Sequence, residues 1–127
     1  MRIVNRKTFL TLPAGTVFSK YDPCSFEGLA IKQDTMGEDF GVVELRDFWF
    51  EGAHDSGSWG AILDRMEATG EEGPPLDLDY WGRDGMFDRE QLFAVFSRED
   101  VTAIISKLTE ALATGYPAQP NQEGEGR

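Results

Sequence analysis

Residues 16–21 alternate with a period of two: Val17, Ser19 and Tyr21 fall on one side, Thr16, Phe18 and Lys20 on the other. That is the spacing of a half-buried strand. Upstream, the short apolar segment 9–12 ends at Pro13-Ala14-Gly15, a turn because Pro presets φ and Gly accepts positive φ. Asp22-Pro23 breaks the strand. A second strand is predicted over 29–32, a turn around Gly37, and a β-rich run over 41–50, where Glu44 and Asp47 suggest a solvated edge.

The period then changes. Trp59, Ile62, Leu63 and Met66 recur at i, i+3, i+4 and i+7, predicting a helix over 59–68 capped by Ser56 or Ser58 and ended by Gly70. Residues 76–81 alternate again, with Asp77 and Asp79 opposite Leu76, Leu78 and Tyr80. The turn Gly82-Arg83-Asp84-Gly85 and the apolar run 91–96 then predict a hairpin. Ser97 caps a second helix with Glu99 and Asp100 in its first turn. Val101, Ile104, Ile105, Leu108, Ala111 and Leu112 form its apolar stripe, and Gly115 and Pro117 its stop. Ile104, Ile105 and Leu108 are expected to pack on the sheet through Phe93 and Val95.

The order β-β-β-α-β-β-α predicts an α+β fold with a mainly antiparallel sheet of about five strands and two helices on one face. Residues 1–117 are read as a single domain. Residues 118–127, rich in Gly, Gln and Glu, are read as a disordered polar tail. With 40% hydrophobic residues and fifteen aromatics, a chain of 127 residues has the material for a core. A single cysteine, Cys24, excludes an internal disulfide and fits a reducing interior. No signal peptide or membrane span is legible, because the apolar stretch after Lys7 is broken by Thr11, Pro13 and Gly15; a cytoplasmic location is expected.

Charge changes the picture most. Residues 1–35 carry five Lys/Arg against three acids, whereas 36–127 carry seven against twenty, for a net charge of −11. Such a field repels nucleic-acid phosphate and attracts basic surfaces, so direct nucleic-acid binding is not expected. Chemistry is sparse. His54-Asp55-Ser56 holds the residue types of a hydrolase triad, but adjacent residues do not converge on one reacting atom, and a helix cap accounts for the serines. Asp77, Asp79, Asp84, Asp88 and Glu90 invite a cation, yet an EF-hand loop aligned on Gly85 would start at Tyr80 and end at Gln91, without its outer ligands. Phosphate-cradling glycine loops are missing. Arg2, Arg6 and Lys7 read as a solvated terminus, at most a seat for one small anion. The expectation is a non-enzyme with no catalytic residue, no metal and no cofactor.

Arg6-Lys7-Thr8-Phe9-Leu10, Leu12-Pro13, Gly15-Thr16-Val17-Phe18, Ser19-Lys20-Tyr21 and Pro23-Cys24 resemble the opening of small, largely uncharacterised accessory proteins of tailed phages and prophages. A weaker echo runs through Asp84-Gly85, Phe87-Asp88 and Gln91-Leu92-Phe93-Ala94-Val95. The resemblance implies a phage accessory protein acting in the host cytoplasm, of the kind that binds a host defence or regulatory complex, anti-CRISPR proteins included. It transfers no site residue.

Aromatics rimmed by charge are what interface anchors look like. The expected partner-binding surface is Glu38, Asp39, Glu44, Asp47, Trp49, Glu51, Asp77, Asp79 and Trp81, set to occupy a basic groove on a host nucleic-acid-binding protein. The alternative is a protein that sequesters a small nucleotide or signal molecule, its aromatics stacking a base while Arg2, Arg6, Lys7 or Lys20 neutralises phosphate. Oligomeric state is open at this level.

Overall fold

The structure, a computed structural model, describes residues 1–117; the expected tail lies outside the described residues. In chain order it places β1 (Arg2–Asn5), α1 (Arg6–Phe9), β2 (Val17–Asp22), β3 (Ser25–Phe26), β4 (Ala30–Met36), β5 (Asp39–Glu44), α2 (Ser56–Thr69), β6 (Gly82–Arg83), β7 (Leu92–Val95) and α3 (Arg98–Gly115). The fold is α+β and its sheet antiparallel, with seven strands among the described residues rather than five. The strand order is β1-β7-β2-β4-β5-β6, with β3 on β2.

Two strands depart from expectation. The amino terminus forms a strand: β1 pairs with β7, Val4 opposite Phe93, and of its three cations Arg6 is buried while Arg2 and Lys7 stay exposed. The predicted hairpin of 76–81 with 91–96 does not form. Instead β7 inserts between β1 and β2, while β6 adds to the edge of β5. An apolar run such as Phe93-Ala94-Val95, buried on both faces, suits a central strand better than a hairpin arm. In 76–81 local polar chemistry competes with the ladder: the Asp77 carboxylate accepts the backbone N–H of Asp79 and of Tyr80, at 3.0 and 3.1 Å. Only an isolated bridge, Phe50 to Leu76, remains there.

The core is aromatic and lies on one sheet face. Phe9, Phe18, Phe40 and Phe93 converge, Phe9 stacking on Phe93 at 4.1 Å and meeting Phe18 and Phe40 edge-on. Phe9 reaches them because Asn5 accepts the backbone N–H of Thr8 and starts a single helical turn across the strands. Leu10 and Leu12 continue the cover. Lys32, 1% exposed, donates to the Gln33 carbonyl and to Thr35 Oγ1, which itself donates to the Leu10 carbonyl. The β4 irregularity between Lys32 and Thr35 is thereby stitched to the segment that covers the core. Burial pushes the Lys32 ammonium below its ordinary pKa, against the pull of Asp34.

The longer helices do not cover the sheet. Neither α2 nor α3 buries a residue, so the expected packing of Ile104, Ile105 and Leu108 on Phe93 and Val95 is absent. Val101 and Ile104 are half-buried where α3 leaves the sheet, and the stripe beyond is exposed, Leu108 at 63%. The physical reason is that α1 and residues 10–12 already fill the apolar face of the strands. The cap of α2 also differs: Asp55 is the N-cap, and Ser58 returns its hydroxyl to the backbone N–H of Asp55 in a reciprocal box. Gly70, with φ of 71°, ends α2 in the left-handed region as expected.

Candidate functional site

Beside the phenylalanine core stands a second, half-exposed aromatic cluster. Trp49 stacks on Trp59 of α2 at 5.7 Å and on Tyr80 at 4.5 Å, with planes within 10°. The indole N–H groups fix the stack: Trp59 Nε1 donates to the Phe48 carbonyl and Trp49 Nε1 to that of Ala53. Backbone N–H groups of Glu51 and Asp77 donate to the carbonyls of Pro75 and Trp49, so residues 49–51 and 75–77 run side by side. Loop and helix are held to each other by this cluster.

Between the stack and the β5 edge lies a cleft of about 130 Å3 lined by Val42, Glu44, Asp47, Trp49, Asp77, Tyr80, Gly82 and Arg83. Three acidic residues and two aromatic rings thus line one cleft, Asp47 Oδ2 accepting from Arg46 Nε at 3.3 Å. A cation entering here meets negative charge beside an aromatic wall, in which Trp49 is itself stacked on Trp59 and Tyr80. Asp47 is held at φ +37°, a left-handed conformation uncommon outside glycine. Arg83, though cationic, is already engaged by a carboxylate outside the cleft, its Nε donating to Asp39 at 3.0 Å.

Of the nine residues expected to bind a partner, the cleft brings together Glu44, Asp47, Trp49 and Asp77. Trp81 lies elsewhere. Its ring packs over Gly41, where an added Cβ would come within 2.9 Å, and strand alternation puts Gly41 and cleft-lining Val42 on opposite faces. Glu51 and Asp79 are exposed near the cleft but do not line it, and Glu38 is exposed at the far end of β5.

Asp39 is removed from the set. It is 1% exposed and accepts from the backbone N–H of Phe40 and Gly85 and from Arg83. Burial alone would push its carboxyl up, but those hydrogen bonds and the guanidinium outweigh it and hold the pKa below the ordinary value. It is a structural anion.

A buried ion network is invisible to the sequence pattern. Asp84 pairs with Lys20 at 2.5 Å and with Arg6 at 3.5 Å, while Arg6 also donates to the Glu38 carbonyl and lies 5.5 Å from the Phe40 ring centroid. Asp84, a candidate cation ligand by sequence, is therefore satisfied by the chain's own cations. Asp88 accepts the Glu90 N–H. Among the described residues no three His, Cys, Asp or Glu side chains are grouped to hold a metal.

A larger cavity, about 660 Å3, opens on the other side of Arg6 and is lined by Asn5, Arg6, Lys7, Leu10, Glu38, Phe87 and Arg89. Lys7 and Arg89 are exposed at its wall. Phe87 stands at φ +53°, an outlier for a bulky side chain. Comparison with protein-family models, with curated proteins and with solved structures returns no match.

Proposed function

We propose that this protein is a non-catalytic binding protein of phage type that blocks a host nucleic-acid-binding defence or regulatory complex, anti-CRISPR-like in action, by occupying its basic groove. The observation that carries the reading is the cleft lined by Glu44, Asp47 and Asp77 together with the rings of Trp49 and Tyr80. A Lys or Arg projecting from the partner enters it, with Asp79 and Glu51 at the rim. Residues 36–90 hold fifteen acids against four arginines, so long-range attraction speeds encounter while the desolvated aromatic contact slows release. The partner is a protein with a basic surface, met in the host cytoplasm. No helix among the described residues is long and apolar enough to cross a membrane.

The test is affinity capture from host lysate at low and moderate salt, using the native chain beside Trp49→Ala and an Asp47→Lys/Asp77→Lys double variant. The native chain is expected to retain a basic protein that both variants lose. Capture of no basic protein at either salt overturns the reading, and undiminished capture by the variants removes the cleft from it.

The 660 Å3 cavity favours a second reading, a protein that sequesters a small nucleotide or signal molecule. Lys7 and Arg89 offer charge to a phosphate and Phe87 a ring face to a base, in a volume typical of small-molecule sites. A thermal-shift screen of nucleotides decides it. A ligand at a hundred times its Kd stabilises the fold by about 2.7 kcal/mol; flat melting curves across the panel dismiss it.

A further inference from the structure

The outer three turns of α3 are an oddity that the proposed function does not use. Residues 105–115 project about 16 Å beyond the last half-buried residue, Ile104. Ile105, Leu108, Leu112 and the following Tyr116 are 58–70% exposed along one side. Helices of this length take their stability mainly from packing an amphipathic face, and this face has no partner among the described residues. Residues 118–127 contain no large apolar side chain to supply one.

The same molecule carries a receptacle. At the root of α3 a groove of about 700 Å3 is walled by Met1, Leu12, Val17, Val95, Val101 and Ile105, among others. Stripe and groove share Val101 and Ile105, so one apolar surface runs from the sheet end to the helix tip. Laid antiparallel about a point between Leu108 and Thr109, two copies of α3 set Ile105 against Leu112 and Val101 against Tyr116. Each helix tip then lies in the other copy's groove.

From this self-complementarity we infer that the chain is a two-fold symmetric homodimer, joined by antiparallel α3 helices whose tips fill each other's grooves. In the antiparallel arrangement the two tip-in-groove contacts are related by a two-fold axis, so the interface is isologous and closes with two copies. The four exposed side chains present on the order of 500 Å2 per copy, so two copies and their groove walls clear the roughly 1,000 Å2 that a specific interface requires. Charge permits the pairing. Residues 101–117 carry only Lys107 and Glu110, and the groove walls add Arg2 and Arg98, so no acidic patch meets another in a chain of net −11, and the projecting helix keeps the acidic bodies apart.

Sedimentation equilibrium of the full chain from low to high micromolar concentration tests this. The expected mass rises from 14.2 kDa to twice that value. Leu108→Glu and Leu112→Glu change exposed positions, keep the native circular dichroism and stay at monomer mass. A native chain that remains monomeric throughout, or dimerisation undiminished in both variants, overturns the proposal. Orientation is read in a Cys24→Ser background by mixing Val101→Cys chains with Tyr116→Cys chains under mild oxidation. Cross-links between the two kinds of chain support the antiparallel pair; cross-links only within each kind overturn it.

Discussion

Asp39 shows how far burial alters the meaning of a residue. In a chain with twenty-three acids it reads as one more surface anion, yet three donors surround it and depress its pKa. The sign of its pH effect follows. A carboxyl whose folded pKa lies below its unfolded value near 3.8 contributes stability above that value, and loses it as pH falls through the folded pKa. Asp100 works in the same direction. The Met1 amine at 2.6 Å and the Ser97 backbone N–H and hydroxyl lower it to about 2. Stability is therefore expected to fall from about pH 4 toward pH 2, with a shallower fall in Asp39→Asn, measured by urea melts across that range. Asp84→Ala strands Arg6 without its carboxylate and is expected to cost about 3 kcal/mol, because removing one partner of a buried pair leaves the other charge uncompensated. Cys24 runs the other way. It is exposed at φ +66° in the turn joining β2 and β3, so Cys24→Gly is expected to stabilise by about 0.5–1 kcal/mol in the same melts.

At the scale of elements, the strands and helices legible in the sequence are those set by local pattern. The alternation of 16–21 forms β2, the Ser97 cap starts α3, and Gly70 closes α2. Pairing is not legible, because it is decided by long-range competition. Nothing in Phe93-Ala94-Val95 says that β1 will take one of its sides. Nor does the α3 stripe say that Phe9 has already claimed the sheet face. In the site, Glu44, Asp47, Trp49 and Asp77 are marked by the acid-aromatic interleave, whereas Lys20, Arg6 and Asp84 meet only through the fold. Phe9 and Leu108 measure the difference. Phe9→Ala empties the centre of the core and is expected to cost about 3–5 kcal/mol. Leu108→Ala, at an exposed position, is expected to cost under about 1 kcal/mol in samples dilute enough to be monomeric. Urea melts of both report whether the core lies under α1 or under α3.

For the whole molecule, the aromatic residues are sorted by kind. The core rings are all phenylalanine (Phe9, Phe18, Phe40 and Phe93), while Trp49, Trp59 and Trp81, all the tryptophans of the chain, sit in the outer layer or on the opposite face. In a Trp81→Phe background, which removes the one tryptophan packed on β5, the emission of Trp49 and Trp59 reports on the layer that carries α2 and the cleft. That layer is held together by the stacking of Trp49 on Trp59 and Tyr80 and a few backbone hydrogen bonds, so it is expected to open at lower urea than the strands. The measurement is a fluorescence transition set against amide hydrogen exchange in β7. Coincident transitions would mean the two layers unfold as one. If they separate, a partner seated in the cleft would shift the colour of the emission and raise its midpoint while leaving exchange in β7 unchanged, and the protein would carry its own optical gauge of occupancy.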